Sequence, residues 1–315
     1  MAVRDIQSIE DRQQILQNMT VSWESALSEQ LIAEKVCPRM ETGKRAGRYF
    51  VYDRRDLTNT PDVRAGVNSE LNIKRWSGAF SSYYVNDYGI KTPISALEIE
   101  EAADVIDVEE NTVATNLYDM KLAKEKRVAD LYFTSANYTN TAAVGTKWTV
   151  AGAGTPILDI DNAIAALLVK PNTMIIGEEA FNVMKNHPDV IDRIKYTGTN
   201  QNPAQAMTGA LASLFQLSNG VFVGKAQQDT ANKAQTEVLA RLWGKHVALL
   251  YIDPNPRLKS LTFAMTIAKG PQEVNIIPDD TIDPKPGGEW VKIFDEETEK
   301  LIAELCGYLL TAAVA

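Results

Sequence analysis

Residues 107 to 133, DVEENTVATNLYDMKLAKEKRVADLYF, constrain this chain more than any other stretch. No Pro or Gly interrupts them, and their apolar residues recur at helical spacing. Val113, Leu117, Met120, Val128 and Leu131 fall on one stripe, with Ala114, Tyr118, Leu122 and Ala129 on the stripe beside it. Asp107 can cap the first turn and Glu110 follows three residues on, a capping-box-like start. Such a helix spans roughly 35 to 40 Å, about the width of a domain. The plain expectation for a helix of this length is a strut on which other elements pack.

The segments before it differ in character. Residues 1 to about 43 place Ile6, Ile9, Ile15, Leu16, Met19, Trp23, Leu27, Leu31 and Ile32 loosely at helical intervals among many polar residues. An arm of that kind needs the body of the protein or a neighbouring chain to cover its apolar stripe. Residues 44 to 92 hold two strand-like runs, RYFVYDRRDL and FSSYYV, joined by the long polar connection TNTPDVRAGVNSELNIKRW. This is the pattern of an extended hairpin. A connection so long is functional or a loose surface insertion, and the functional reading is a tongue laid over a neighbouring subunit.

Beyond the long helix, TSANYTNTAAVGTKWTVAGAGTP reads as a hairpin and loop. From 156 to 252 the pattern alternates helix and strand. Ile157, Ile160, Ile164 and Leu167 form a helical stripe, TMIIG is a short buried strand, and GEEAFNVMKNHP opens a helix with carboxylates in its first turn. DVIDRIKY and PAQAMTGALASLF continue as helices, with Met207, Leu211, Leu214 and Phe215 inward, and VFVGKA and VLARLWGKHVALLYI as strands. This is a compact α/β unit of ordinary domain size. The remainder is β-rich. SLTFAMTIA alternates between two faces, EVNII and WVKIF are strands, and EKLIAELCGYLLTAAVA is either a helix or the partner of WVKIF across DEETEK. The α/β unit is then inserted between two halves of a β-rich domain.

No catalytic constellation emerges from the 315 residues. His187 sits before a proline, which suggests a capping or surface histidine, and His246 lies in a strand. Neither has Cys or Asp at metal or triad spacing. There is no GxSxG elbow, and AGAG lacks the rest of a phosphate-binding motif. Glu100, Glu101, Asp104, Asp107, Glu109 and Glu110 cluster ahead of the long helix, where a solvated acidic helix start is simpler than an acid–base pair. Cys37 and Cys306 read as reduced thiols. A net charge of -9 and a pI near 5.0 argue against nucleic-acid binding through the bulk surface, though not against a local basic patch. No apolar run reaches membrane-span length, and the first residues lack a signal core, so a protein made in a cytoplasm is expected.

In PNTMIIGEEAFNVMKNHPDVIDRIKY, ALASLFQLSNGVFVGKAQQDTAN and LWGKHVALLYIDPNP, the order of elements resembles major capsid proteins of tailed bacteriophages with the HK97-type fold. The resemblance extends over nearly the whole chain. It implies an α+β architecture: an N-arm over 1–43, an E-loop over 44–92, and an axial domain over 156–252. A peripheral domain over 93–155 and 253–315 would carry a spine helix at 107–133. It implies a subunit that associates with itself as hexamers and pentamers into an icosahedral head shell, assembled in the bacterial cytoplasm and part of the virion. Scaffolding, portal and decoration proteins are possible partners, and packaged double-stranded DNA a non-specific one. Lys121, Lys124, Lys126 and Arg127 are candidates for that DNA contact, with a solvated helix face as the plainer alternative. No catalytic, cofactor or metal residues are implied.

Where family members carry a long N-terminal scaffolding segment, only about 43 residues precede the E-loop region here, which implies a separate scaffold or none. Some members crosslink an E-loop Lys to an Asn of a neighbour. Lys74 lies in a suitable region, but nothing identifies its partner. An encapsulin-type nanocompartment shell shares the implied fold, and an enzyme built on the α/β unit is the remaining alternative.

Overall fold

The computed structural model describes residues 30–314, apart from 61–62, 65–69, 72, 74–77, 103–107, 151–152, 196–202, 233–234 and 283–286. The long helix runs Val108–Tyr132. The Asp107 cap lies outside the described residues. Val113, Leu117 and Val128 are fully buried, whereas Met120 and Leu131 are half-buried. A short helix, Ala33–Val36, and strand β1 (Arg39–Glu41) precede β2 (Ala46–Val51), helix Arg54–Thr58 and β3 (Ala79–Tyr84). Then come β4 (Asn86–Ser95), helix Ala96–Ala102, the long helix and β5 (Asn140–Ala143). The α/β stretch holds helix Pro156–Ala166, β6 (Thr173–Gly177), and helices Glu178–Lys185, Pro188–Lys195 and Pro203–Leu214. It continues through β7 (Gly220–Gly224), β8 (Gln227–Asp229), β9 (Leu239–Arg241) and β10 (Val247–Leu250). β11 (Ala264–Ala268), β12 (Glu273–Asp279), β13 (Gly288–Leu301) and β14 (Gly307–Thr311) complete the chain.

Two five-stranded sheets organise these elements. The first has the order β1-β11-β13-β12, with β4 also paired to β13. Its inner face packs Ile94, Val274, Ile276, Val291 and Ile293 against Val113 and Leu117 of the long helix. The second has the order β5-β14-β10-β6-β7. One of its faces holds Met174, Ile176, Val247 and Leu249 beneath the helices. The other presses Ile175, Ala248, Leu250 and Leu309 onto Tyr132, Tyr138, Phe263 and Trp243. β6 and β10 are buried on both faces, so their sequences read as unbroken apolar runs. Gly177 ends β6 where a Cβ would collide with the backbone of Trp243 and Gly244, so only Gly lets the two segments approach.

Several expectations change. The TNTAAV region is no hairpin: β5 pairs in parallel with β14, the last strand described. That last segment is neither a helix nor the partner of WVKIF. β14 instead lies between β5 and β10 in the second sheet. DEETEK is not a turn, because β13 runs straight through it for 14 residues. Its carboxylates tolerate this because cations from neighbouring elements neutralise them. The alternation of SLTFAMTIA does not leave one face in water, since every residue of β11 is buried. Ile267 and Met265 lie under the tongue root and Ala264 lies in the main core.

Candidate assembly surfaces

The two extensions are each fixed to the body by a distinct chemistry, beginning with the arm. Glu125 lies on the long helix and is fully buried. Its carboxylate accepts from the backbone N–H groups of Ile32, at 3.0 Å to both oxygens, and of Ala33 at 2.7 Å. It also accepts from the indole Nε1 of Trp243 at 2.6 Å. One acid therefore joins the arm, the long helix and the α/β unit. Burial pushes its carboxyl upward, and those N–H donors pull it back down. Two turns further along the long helix the Tyr132 hydroxyl donates to the Val36 carbonyl at 2.7 Å, and Cys37, Val36 and Ala33 are buried against the same surface.

The tongue is held at its root by charge. Successive residues of β13 point to opposite faces, so Asp295, Glu297 and Glu299 share one face, where Glu297 and Glu299 meet the long helix, while Glu296 on the other face meets the tongue. Lys124 is buried, with its Nζ 2.8 Å from Glu297 Oε2. Arg127 Nη2 lies 2.6 Å from Glu297 and 2.9 Å from Glu299, and its guanidinium covers the Tyr88 ring. Arg39 of β1 reaches Asp295 at 2.7 Å and Glu297 at 3.3 Å. On the opposite face Glu296 pairs with Arg45, where the tongue begins, and with Lys269. The Lys269 and Arg45 hydrogen bonds hold its carboxyl below the usual range. Burial pushes the Glu297 carboxyl up, with Lys124 opposing.

Tyr49, Tyr83 and Val85 pack this root onto Met265, Ile267 and Ile302. β2 and β3 pair antiparallel from Ala46↔Tyr84 to Val51↔Ala79. Past the root the tongue exposes apolar groups: Phe80 is 64% exposed, Val63 88%, Leu71 75% and Ile73 81%. Exposed apolar groups gathered on one projecting element mark an interaction surface.

The structure disposes of most of the candidate residues. Lys124 and Arg127 cannot serve a DNA patch, because both are committed to Glu297 and Glu299. Nor is that helix face solvated, since Lys121 is half-buried and only Lys126 of the four is exposed. Lys74, Asp104 and Asp107 lie outside the described residues. Among the described residues no group of His, Cys, Asp and Glu could hold a metal ion. His187 caps helix Pro188–Lys195, its Nδ1 accepting from Asp189 N–H at 3.4 Å, but it is buried rather than at the surface. His246 Nδ1 accepts from the Ala312 N–H at 3.0 Å, and burial, then Lys147, depress its pKa. Cys37 and Cys306 are free and buried, their thiols pushed up to about 12 chiefly by desolvation. No described helix is long and apolar enough to cross a membrane.

Sequence reading missed Glu125, Trp243 and the β13 acids. Glu125 hides among the charges of AKEKR. The run DEETE was visible but looked like a turn.

No family model matches the chain. The major capsid protein of Pseudomonas phage JBD67 is 25% identical over 293 residues, covering 90% of this chain and 92% of that protein. Among solved structures, a phage-related protein from Bordetella bronchiseptica superposes with a TM-score of 0.71 at 20% identity, over 95% of this chain and 97% of that one. The capsid of cyanophage P-SCSP1u gives a TM-score of 0.56 at 12% identity, over 89% and 87%. The chain has the HK97-type capsid fold. Within that capsid fold, the kinship to phage major capsid proteins makes the chain a structural shell subunit and not an enzyme.

Proposed function

We propose that the chain assembles as hexamers and pentamers into an icosahedral head shell that encloses a phage genome, and so resides in the virion. The observation that carries this reading is the tongue, charge-locked at its root and apolar beyond it. A rigid base with an uncovered end fits an element whose partner is another subunit. In this reading residues 1–43 are the arm, 44–92 the tongue, and 156–252 an axial domain around the capsomer axes. The peripheral domain is built from 93–155 and 253–315. Symmetry repeats each weak contact, so modest interfaces close a large shell. Packaged DNA is met non-specifically. An encapsulin-type shell is disfavoured because the similar proteins by sequence are phage capsid proteins.

Negative-stain microscopy with mass photometry of the purified protein tests this directly. Closed particles or five- and six-fold rings are expected, and nuclease-protected DNA in particles taken from infected or induced cells. A uniform small oligomer at every salt and concentration, with scaffold supplied, would sink the reading. Deleting residues 55–75 is expected to leave a folded chain that forms no closed particles. Closed shells from that variant would show that the tongue clasps nothing.

A further inference from the structure

Ala312, just past β14, has a φ of +50°, in the left-handed region that a residue with a Cβ enters only at a cost. Neighbours on two sides hold it there. Its N–H donates to His246 Nδ1 at 3.0 Å, and its carbonyl accepts from Lys147 Nζ at 2.6 Å. The next residue is gripped by the same two segments: the Ala313 N–H donates to the Lys245 carbonyl and the Trp148 N–H donates to the Ala313 carbonyl, both at 2.9 Å. Ala313 and Val314 are thereby set into the α/β core with Val144, Trp148, Val247 and Leu310.

One of these four bonds depends on a titratable acceptor. An imidazole accepts at Nδ1 only when it is neutral with its proton on Nε2. A proton added at Nδ1 makes that atom a second donor, facing the Ala312 N–H. The surroundings favour the neutral form. Burial, then the like charge of Lys147, lower the His246 pKa from 6.5. Lys245, next in the chain, turns to Glu179 at 3.8 Å, and Glu179 is also 3.6 Å from Arg241. From the end of the long helix the Phe133 ring packs against the imidazole at a centroid distance of 5.3 Å. His246 is half-buried, so it exchanges protons with water without unfolding. His187 also accepts a backbone N–H at Nδ1, but its own Asp189 carboxylate lies 3.7 Å away and would balance a new charge.

We propose that His246 is an acid-operated latch on the segment that follows β14: neutral, it holds Ala312 in its left-handed turn, and protonated, it lets Ala312–Val314 leave the α/β core. The latch goes beyond the shell reading and does not depend on it. The step is protonation alone. A proton adds to the Nδ1 lone pair, the Ala312 N–H loses its acceptor, and the unfavourable φ is left with less to hold it. A fold that keeps His246 neutral gains stability above the ordinary value of 6.5 and loses it as pH falls below that value. The latch is therefore closed at neutral pH and opens in mild acid. β5 pairs with β14 at the edge of its sheet, so opening loosens that edge first.

Hydrogen exchange of the full chain, read by mass spectrometry over residues 307–314 and corrected for the chemical exchange rate at each pH, tests the latch. Protection in the wild type is expected to fall at least about threefold from about pH 7.5 to about pH 5, while the peptide spanning β6 is unchanged. His246→Asn places a carbonyl oxygen where Nδ1 stood, an acceptor that does not titrate, and should keep protection level across that range. Lys147→Gln removes the like charge and should move the midpoint to higher pH, a shift that a purely structural role for Lys147 would not produce. Constant protection in the wild type, an equal fall in H246N, or a midpoint that does not rise in K147Q would overturn the latch. Should circular dichroism show that H246N does not fold, the wild type and K147Q decide by the same criteria.

Discussion

The two five-stranded sheets are held together by opposite means. The β5-β14-β10-β6-β7 sheet is apolar on both faces and is gripped between helices on one side and aromatic residues on the other. The β1-β11-β13-β12 sheet is apolar along half its length and ionic along the other half, where Asp295, Glu297 and Glu299 meet Arg39, Lys124 and Arg127. Dispersion and hydrophobic burial are indifferent to direction, so the first arrangement is strong but does not specify an angle. Bidentate, charge-assisted bonds are directional. The ionic half lies where the arm and tongue leave the body, and there a fixed angle matters more than raw stability.

Four variants bear on that contrast. Trp243→Ala strikes the apolar side hardest. It opens a cavity in the shared core and removes a donor from buried Glu125, so a loss of about 4 kcal/mol or more is expected in urea denaturation. A loss below about 2 kcal/mol would mean that the core around Trp243 collapses freely.

On the ionic side, Glu297→Ala strands the buried Lys124 ammonium, and about 3 to 5 kcal/mol should be lost. The double variant K124M/E297L should regain most of that stability, because an apolar pair of similar volume removes the desolvation cost. If the double variant also assembles particles normally, then the Lys124–Glu297 charge pair is not what fixes β13 against the long helix.

The smallest effect concerns Asp279 at the far end of β12. Hydrogen bonds from Thr281, then the Trp290 indole, hold its carboxyl down at about 2. A depressed carboxylate stabilises the fold above its ordinary value of 3.8, and that contribution is lost as pH falls through about 2. The melting-temperature gap between wild type and Asp279→Asn should therefore be constant above pH 4 and shrink towards pH 2. A gap that widens on acidification would contradict the assignment.

The same contrast explains what could be read from the residues. Periodic and continuous apolar signals survive in sequence, so the helix at Val108–Tyr132, the strand TMIIG and the three helices between Glu178 and Leu214 were legible. So was the tongue, from its two aromatic strands and the polar stretch between them. β13 was not, because DEETE has the local composition of a turn and becomes a strand only when Arg39, Arg45, Lys124, Arg127 and Lys269 converge on it from distant positions. Glu125 was invisible for the same reason: its partners lie 92, 93 and 118 residues away. The fate of Lys124 shows the hazard of reading a basic helix face without knowing what lies opposite.

The placement of β14 bears on how the chain is made. A ribosome delivers β5 long before Gly307–Thr311, yet β14 separates β5 from β10 in the finished sheet. β4 likewise waits for β13, its partner some two hundred residues downstream (Asn86↔Glu297). Each half of the molecule therefore holds an early strand with no place to pair until translation is almost over. Pairings this distant are slow to form. A nascent chain cannot present a finished docking surface to its neighbours on a polysome, and the order of synthesis itself delays association until subunits are complete.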